Sequence, residues 1–333
     1  MSNFTKLSVV CITYNHEKFI RKALDGFVMQ KTNFPFEVLI HDDASTDKTA
    51  DIIREYEKKY PDIIKAIYQK ENQFSTGINV SKHFIYPKIR GKYVALCEGD
   101  DYWTDENKLQ KQVDFLDKHP DVSVCFHPVK VIWEDGSKPE HIFPTAHMRF
   151  NKDILTIDDL LKHNFIQTNS VVYRWRLKGQ EYLFPDGILP RDYFLHLLHA
   201  QVGKIAFLPD VMAVYRRHQG GIWTGAGKSD AWFLRCAIPH IRFYFALEKQ
   251  FQCDRSREIA LMTTHSILIF TKNKRWDLLE TLSQINPENY QKVLEILLQN
   301  QDNKQGKIYK KYKKIVCVLA VLLILSLLYL ILK

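Results

Sequence analysis

Three carboxylates, Glu98, Asp100 and Asp101, stand directly after the unbroken apolar run Tyr93–Cys97. Such a run reads as a strand buried on both faces. Carboxylates at its end are costly to bury unless something pairs with them. A divalent cation would do so, because hard oxygen ligands suit Mg2+ or Mn2+. Mg2+ in particular binds through one or two carboxylates together with substrate phosphates. The competing reading is an acidic turn into the next helix, with Asp105 as its N-cap. Two more polar clusters follow apolar runs in the same way. Thr13, Tyr14, Asn15 and His16 close the run that starts at Leu7, and Asp42 and Asp43 follow Phe36–Ile40.

These clusters need elements to hold them. Apolar residues at helical spacing (Phe19, Ile20, Ala23, Leu24, Phe27, Val28) predict a helix after the first strand. The Tyr14–His16 turn is placed to cap it. Further helices are predicted over Lys48–Tyr60, Asn79–Ile89 and Glu106–Lys118, with strands at Ile64–Tyr68 and Val122–Phe126. Ser45, Thr46 and Asp47 are cap candidates for the Lys48 helix. Strand and helix alternating at this spacing imply βαβ units and a mainly parallel sheet flanked by helices, an α/β fold. Ligands on such sheets bind outside the carboxyl ends of the strands, so all three polar clusters should face one edge. Neither GxGxxG nor GxxxxGK[ST] occurs. Acidic clusters without a phosphate loop fit a nucleotide held by base and ribose, its diphosphate on a metal.

After Pro128 the pattern changes to short strands around an Asp135-Gly136 turn, a strand over Asn169–Trp175, and a helix opened by Pro190 and Arg191. Asp192, at the start of that helix, is either a general base or an N-cap. Strands over Lys204–Leu208 and Val211–Tyr215 precede a polar loop of Arg216, Arg217 and His218. Residues 226–303 read as helical.

The net charge of +9 resembles a nucleic-acid signal, but seven of those charges sit on Lys304, Lys307, Lys310, Lys311, Lys313, Lys314 and Lys333. Subtracting them leaves +2 for residues 1–303, too little for a broad phosphate-backbone footprint. Cys11, Cys97 and Cys125 fall in predicted buried strands and no CxxC spacing exists, as expected for reduced core thiols. The first residues show no secretory apolar segment. Residues 304–314 form a basic segment, and Ile315–Leu332 is a run of eighteen uncharged residues. That run predicts a single-pass C-terminal anchor in the inner (cytoplasmic) membrane, with the basic segment and the catalytic body in the cytoplasm.

The runs Ser-Val-Val-Cys-Ile-Thr-Tyr-Asn (8–15), Asp-Asp-Ala-Ser-Thr-Asp (42–47) and Glu-Gly-Asp-Asp-Tyr-Trp (98–103) together resemble a family-2 glycosyltransferase with a GT-A fold, of the bacterial surface-polysaccharide type. The likeness covers roughly residues 5–225, with a nucleotide-sugar half over 1–127 and an acceptor half over 128–225. It implies that Thr13, Tyr14 and Asn15 line a nucleotide pocket, with Asp42 and Asp43 at the base. Glu98-Gly99-Asp100 takes the place of the family's Asp-x-Asp, with Glu replacing the first Asp. Asp100, with Asp101 beside it, would hold Mn2+ or Mg2+, and Glu98 would face the ribose or a metal-bound water. Asp192 resembles the family's catalytic base, and His218, in a loop that in relatives folds over the donor diphosphate, would be a late metal ligand or a phosphate donor. The implied activity is inverting, metal-dependent transfer of a sugar from a nucleotide-sugar, a UDP-sugar by the family's pattern, to a glycan or lipid-linked acceptor. Two rivals remain at this stage. A nucleotidyltransferase on a similar sheet would need an early basic phosphate loop. A non-catalytic, membrane-tethered sugar-binding module would not need its acids.

Overall fold

The computed structural model describes residues 5–145, 154–180, 183–223 and 229–285. The chain divides into two compact units, residues 1–187 with 191–224, and residues 188–190 with 225–333.

In the first unit β1 (Leu7–Thr13) leads to α1 (Ile20–Val28), β2 (Phe36–Asp42), α2 (Thr49–Lys59), β3 (Ile64–Tyr68) and β4 (Tyr93–Leu96). Then come β5 (Tyr102–Trp103), α3 (Lys108–Lys118), β6 (Val122–Phe126), β7 (Val129–Trp133) and β8 (His141–Phe143). The unit closes with β9 (Ile154–Leu155), α4 (Ile157–Lys162), β10 (Val172–Arg174), α5 (Arg191–Ala200), β11 (Lys204–Phe207) and β12 (Ala213–Arg217).

Eight strands form one sheet in the order β3-β2-β1-β4-β10-β6-β11-β9, and four form a second in the order β5-β12-β7-β8. β1 lies between two parallel neighbours, β2 and β4, so both of its edges are hydrogen-bonded at the centre of the sheet. Leu7, Val9 and Cys11 are accordingly buried. α1 lays Ile20, Ala23, Leu24 and Phe27 into the same core. Removing one such side chain, as in Leu24→Ala, costs about 2–5 kcal/mol.

The sheet keeps the expected parallel majority but is mixed: six strands run one way and two run against them. β10 enters antiparallel between β4 and β6, and β9 runs antiparallel to β11 at the edge. Val172 and Tyr173 are apolar and buried, and such a strand satisfies its ladder in either direction. The chain path sets the direction, and the residue pattern does not reveal that path. The helix predicted over Asn79–Ile89 is instead a π turn (Ser81–Ile85) and a 3-10 turn (Tyr86–Lys88). Pro87 lacks the N–H that a continuing α-helix needs.

The second unit holds α6 (Asp230–Phe251), α7 (Ser256–Lys272) and α8 (Trp276–Gln284). Ser229 caps α6 by accepting from the Trp232 N–H at 3.2 Å. Ile259 and Ala260 of α7 pack with Tyr244 and Phe245 of α6.

The expected terminal membrane span is corrected. Among the described residues no helix is long and apolar enough to cross a membrane. The longest, α6, carries Asp230, Arg235, Arg242, Glu248 and Lys249, charges that a bilayer core would penalise. Residues 304–314 and 315–332 lie outside the described residues. The architecture is an α/β body with a mixed sheet and a helical second unit.

Candidate active site

The site grows from the carboxyl ends of β1, β2 and β4. Thr13 and Asp42 end neighbouring strands in register. The Asp43 N–H donates to the Thr13 carbonyl at 3.0 Å, prolonging that ladder by one bond. On the other side of β1, the Gly99 N–H donates to the Ile12 carbonyl at 2.9 Å. A Cβ on Gly99 would lie 2.5 Å from Thr13 Oγ1, so the acidic loop runs against β1 too closely for any side chain there.

The β1–α1 turn is held by cross-strand bonds rather than by capping α1, which has no side-chain cap. Asn15, in the left-handed region at φ +54, accepts from the Thr46 N–H at 2.8 Å, and its own N–H donates to Ser45 Oγ at 2.9 Å. The His16 N–H donates to Thr49 Oγ1 at 2.8 Å. None of Ser45, Thr46 and Asp47 is the N-cap of α2, a position taken by Lys48 without a side-chain cap; Asp47, one residue before it, accepts from the Thr49 N–H at 2.9 Å. Tyr14 is left 42% exposed above this turn, free to lie against a ligand.

Asp42 and Asp43 are both buried, with different duties. Asp42 accepts from the Ser45 hydroxyl and N–H. Burial pushes its carboxyl up from the ordinary value, against those bonds. Asp43 accepts from the Gln73 and Phe74 N–H groups, each at 2.9 Å. It thereby orders the loop after β3 beside the strand ends. His41 packs at the strand end, 3.0 Å from Gln69 Nε2.

The second sheet completes the acidic loop. The Arg216 N–H donates to Asp101 Oδ1 at 2.8 Å and its guanidinium donates to the Asp100 carbonyl at 2.9 Å. Asp101 is fully buried, and its Oδ2 has no partner. Burial, then the charges of Asp100 and Glu98, hold Asp101 well above the usual carboxylate range. His218, just past β12, sets its Nε2 3.0 Å from Asp100 Oδ2, and His16 Nε2 lies 3.8 Å from the same oxygen. Burial would raise Asp100, but the bond from His218 and the two imidazole charges outweigh it and hold it low. Two sets could hold a cation, His16 with Asp100 and His218, and Glu98 with Asp100 and Asp101. The donor types suit a divalent ion, and the orphaned Asp101 Oδ2 is a further sign of an unmet charge demand.

Asp192 sits in the first turn of α5 and accepts from Thr168 Oγ1 at 2.7 Å. Its charge reaches Glu98, which burial, Asp100 and Asp192 together push up to about 8. Thr168, which holds Asp192, opens a turn (Thr168–Ser170) packed against β4 and β12, the strands that flank the acidic loop. Trp103 is core: it is 2% exposed, stacks edge-on to Phe27, and donates its indole N–H to the Asn169 carbonyl at 2.8 Å. Sequence reasoning assigned His16 only to a turn, and gave no role to the Arg216 backbone or to Thr168. His16 carried a faint signal, a ring beside the Thr-Tyr-Asn cluster. The other two carried none, because their roles depend on chain crossings.

This arrangement is that of a GT-A fold. Residues 8–218 match the family model described as Glycosyl transferase family 2, and the chain belongs to that family.

An uncharacterised protein of Mycobacterium tuberculosis is 50% identical over 220 residues, covering 66% of this chain and 61% of its own length. The chain thus spans under two thirds of that relative. The putative teichuronic acid biosynthesis glycosyltransferase TuaG of Bacillus subtilis is 28% identical over 73% of this chain and 92% of its own length. Among solved structures, Staphylococcus aureus TarS in complex with UDP-GlcNAc aligns with a TM-score of 0.54 at 19% identity, covering 89% of this chain and 92% of that one. The mannosyltransferase PcManGT of Pyrobaculum calidifontis, in complex with GDP-Man and Mn2+, aligns with a TM-score of 0.53 at 16% identity, covering 96% and 87%. At these identities the two structures show the fold.

Proposed function

We propose that the protein is a metal-dependent, inverting glycosyltransferase that moves a sugar from a nucleotide-sugar, most simply a UDP-sugar, to a hydroxyl of a glycan or lipid-linked acceptor in surface-polysaccharide synthesis. The observation that carries this reading is the pairing of Asp100 with His218 and His16 beside the strand ends that bear Thr13 and Asp42. The names of relatives lend support: TarS was solved with UDP-GlcNAc, PcManGT with GDP-Man and Mn2+, and TuaG is named for teichuronic acid biosynthesis.

In this reading Thr13, Tyr14, Asn15, Asp42 and Asp43 grip the base and ribose, and Glu98 faces the ribose. Asp100 and His218, with Asp101 behind them, would hold the divalent ion, which when bound supplies positive charge to the leaving diphosphate. Asp192 takes the proton of the acceptor hydroxyl as that oxygen bonds to the anomeric carbon and the carbon–phosphate oxygen bond breaks. Thr168 keeps the carboxylate aimed by donating to Oδ2. One base and a single displacement invert the anomeric carbon.

The test is release of nucleoside diphosphate from a panel of UDP- and GDP-sugars, with and without Mn2+ or Mg2+. Hydrolysis or transfer that needs the metal and fails in Asp100→Asn supports the reading. Pyrophosphate release would favour a nucleotidyltransferase, and no metal-dependent nucleotide binding would favour a non-catalytic module.

A further inference from the structure

His16 is restrained far more than a solvated turn residue requires. Its N–H donates to Thr49 Oγ1 at 2.8 Å, and its carbonyl accepts from the Phe19 and Ile20 N–H groups at 2.9 and 2.8 Å. Its ring is restrained too. Nδ1 lies 3.1 Å from Thr13 Oγ1, and Nε2 lies 3.8 Å from Asp100 Oδ2. The ring meets His218 edge to face, with centroids 5.9 Å apart. His218 Nε2 approaches the same Asp100 oxygen at 3.0 Å, and the three potential ligand atoms all lie within 4.8 Å of one another. In the tautomer that donates Nδ1–H to Thr13 Oγ1, Nε2 carries the lone pair, the arrangement by which metal-binding histidines are commonly fixed. On one ion with bonds of about 2.1 Å, adjacent ligand atoms lie about 3 Å apart and opposite ones about 4.2 Å.

We propose that His16 is a protein ligand of the catalytic cation, so that the site presents two imidazoles and one carboxylate and prefers Mn2+ to Mg2+. The inference rests on the metal-dependent reading above and adds to it a residue and a selectivity. Oxygen ligands serve both Mg2+ and Mn2+, but Mg2+ is the harder ion and gains less from imidazole nitrogen, so two histidines tip the site toward Mn2+. Asp101 is a poorer third ligand, since its Oδ1 already holds the Arg216 N–H and its side chain is sealed from solvent.

The experiment uses the full chain without donor, titrated with Mn2+ alone and followed by electron paramagnetic resonance, with electron spin-echo modulation to count coordinated nitrogens. The wild-type protein should show two histidine nitrogens. His16→Gln and His218→Gln should each show one, and each should weaken Mn2+ binding about tenfold or more. Mg2+ binding, read by competition, should change far less in His16→Gln than Mn2+ binding does. A single nitrogen in the wild-type protein, or a spectrum unchanged in His16→Gln, overturns the assignment, including the case where His16 contacts donor phosphate instead. The wild-type count needs no variant to fold. Asp100→Asn separates the two levels. If it binds Mn2+ as the wild type does, the metal reading of the whole site fails. If it loses Mn2+ while the wild type shows one nitrogen, only the role of His16 fails.

Discussion

The Arg216 N–H donates to Asp101 Oδ1 at 2.8 Å, and through this bond a strand of the second sheet fixes the acidic loop of the first. The carboxylate is fully buried, so its partner has no water to fall back on. Asp101→Ala should therefore lower unfolding stability by about 1–3 kcal/mol through the unsatisfied N–H. It should also weaken metal binding, because His218 follows Arg216 by two residues. Asp101→Asn keeps an acceptor oxygen and should lose less. Urea denaturation with Mn2+ titration of both variants checks this ordering, and equal losses would refute it.

Asp192→Asn should lower kcat by about 10²–10⁴ while leaving donor binding intact, since the role assigned is proton removal from the acceptor. Thr168→Val removes only the aiming hydrogen bond and should cost about tenfold. Calorimetry of UDP binding beside steady-state kinetics separates the two parameters. A parallel loss of UDP affinity in Asp192→Asn would place this residue in the donor site instead.

Gly99→Ala puts a methyl group 2.5 Å from Thr13 Oγ1 and 2.7 Å from its Cβ. The loop must move away from β1, at about 1–3 kcal/mol, and it carries Glu98 and Asp100 with it. Near-complete loss of activity with only a modest drop in Tm is the expected pair of results. A fully active Gly99→Ala enzyme would show that the loop is not held there in solution.

Lys108 is fully buried, with its ammonium 4.2 Å from the Trp103 ring centre and donating to Gln112 at 2.8 Å. Burial pushes it down to about 7. A lysine depressed in the folded state is deprotonated there while the unfolded chain still holds the proton. Between about 7 and the ordinary lysine value the unfolded state thus binds more protons, and stability should rise with pH. Lys108→Met should flatten the difference in stability between pH 7 and pH 8.5 relative to the wild type. Urea unfolding at both values reads it. An unchanged slope would mean that Lys108 keeps its proton when buried.

The order of strands and helices up to Phe126 was legible because each strand there is a bounded apolar run and each helix an amphipathic stripe. The helix expected over residues 79–89 failed at Pro87, whose missing N–H breaks the α ladder. The direction of β10 was not legible, for another reason. Val172 and Tyr173 are buried between β4 and β6, and alternation alone carries no sign of direction. A run of eighteen uncharged residues suggested a membrane span, yet no described helix is long and apolar enough to be one.

By itself the sequence determined which chemistry is available. It placed Thr13–His16, Asp42–Asp43 and Glu98–Asp101 each at the end of a strand, and a parallel alternation brings such ends to one edge whatever the details of packing. Tertiary structure alone decided how that chemistry is divided. His218 and His16 meet one oxygen of Asp100, while Asp101 is withdrawn to hold β12 and Thr168 orients Asp192. Those pairings join residues up to 118 positions apart. They depend on where β12 and α5 cross the strand ends, which local spacing does not encode.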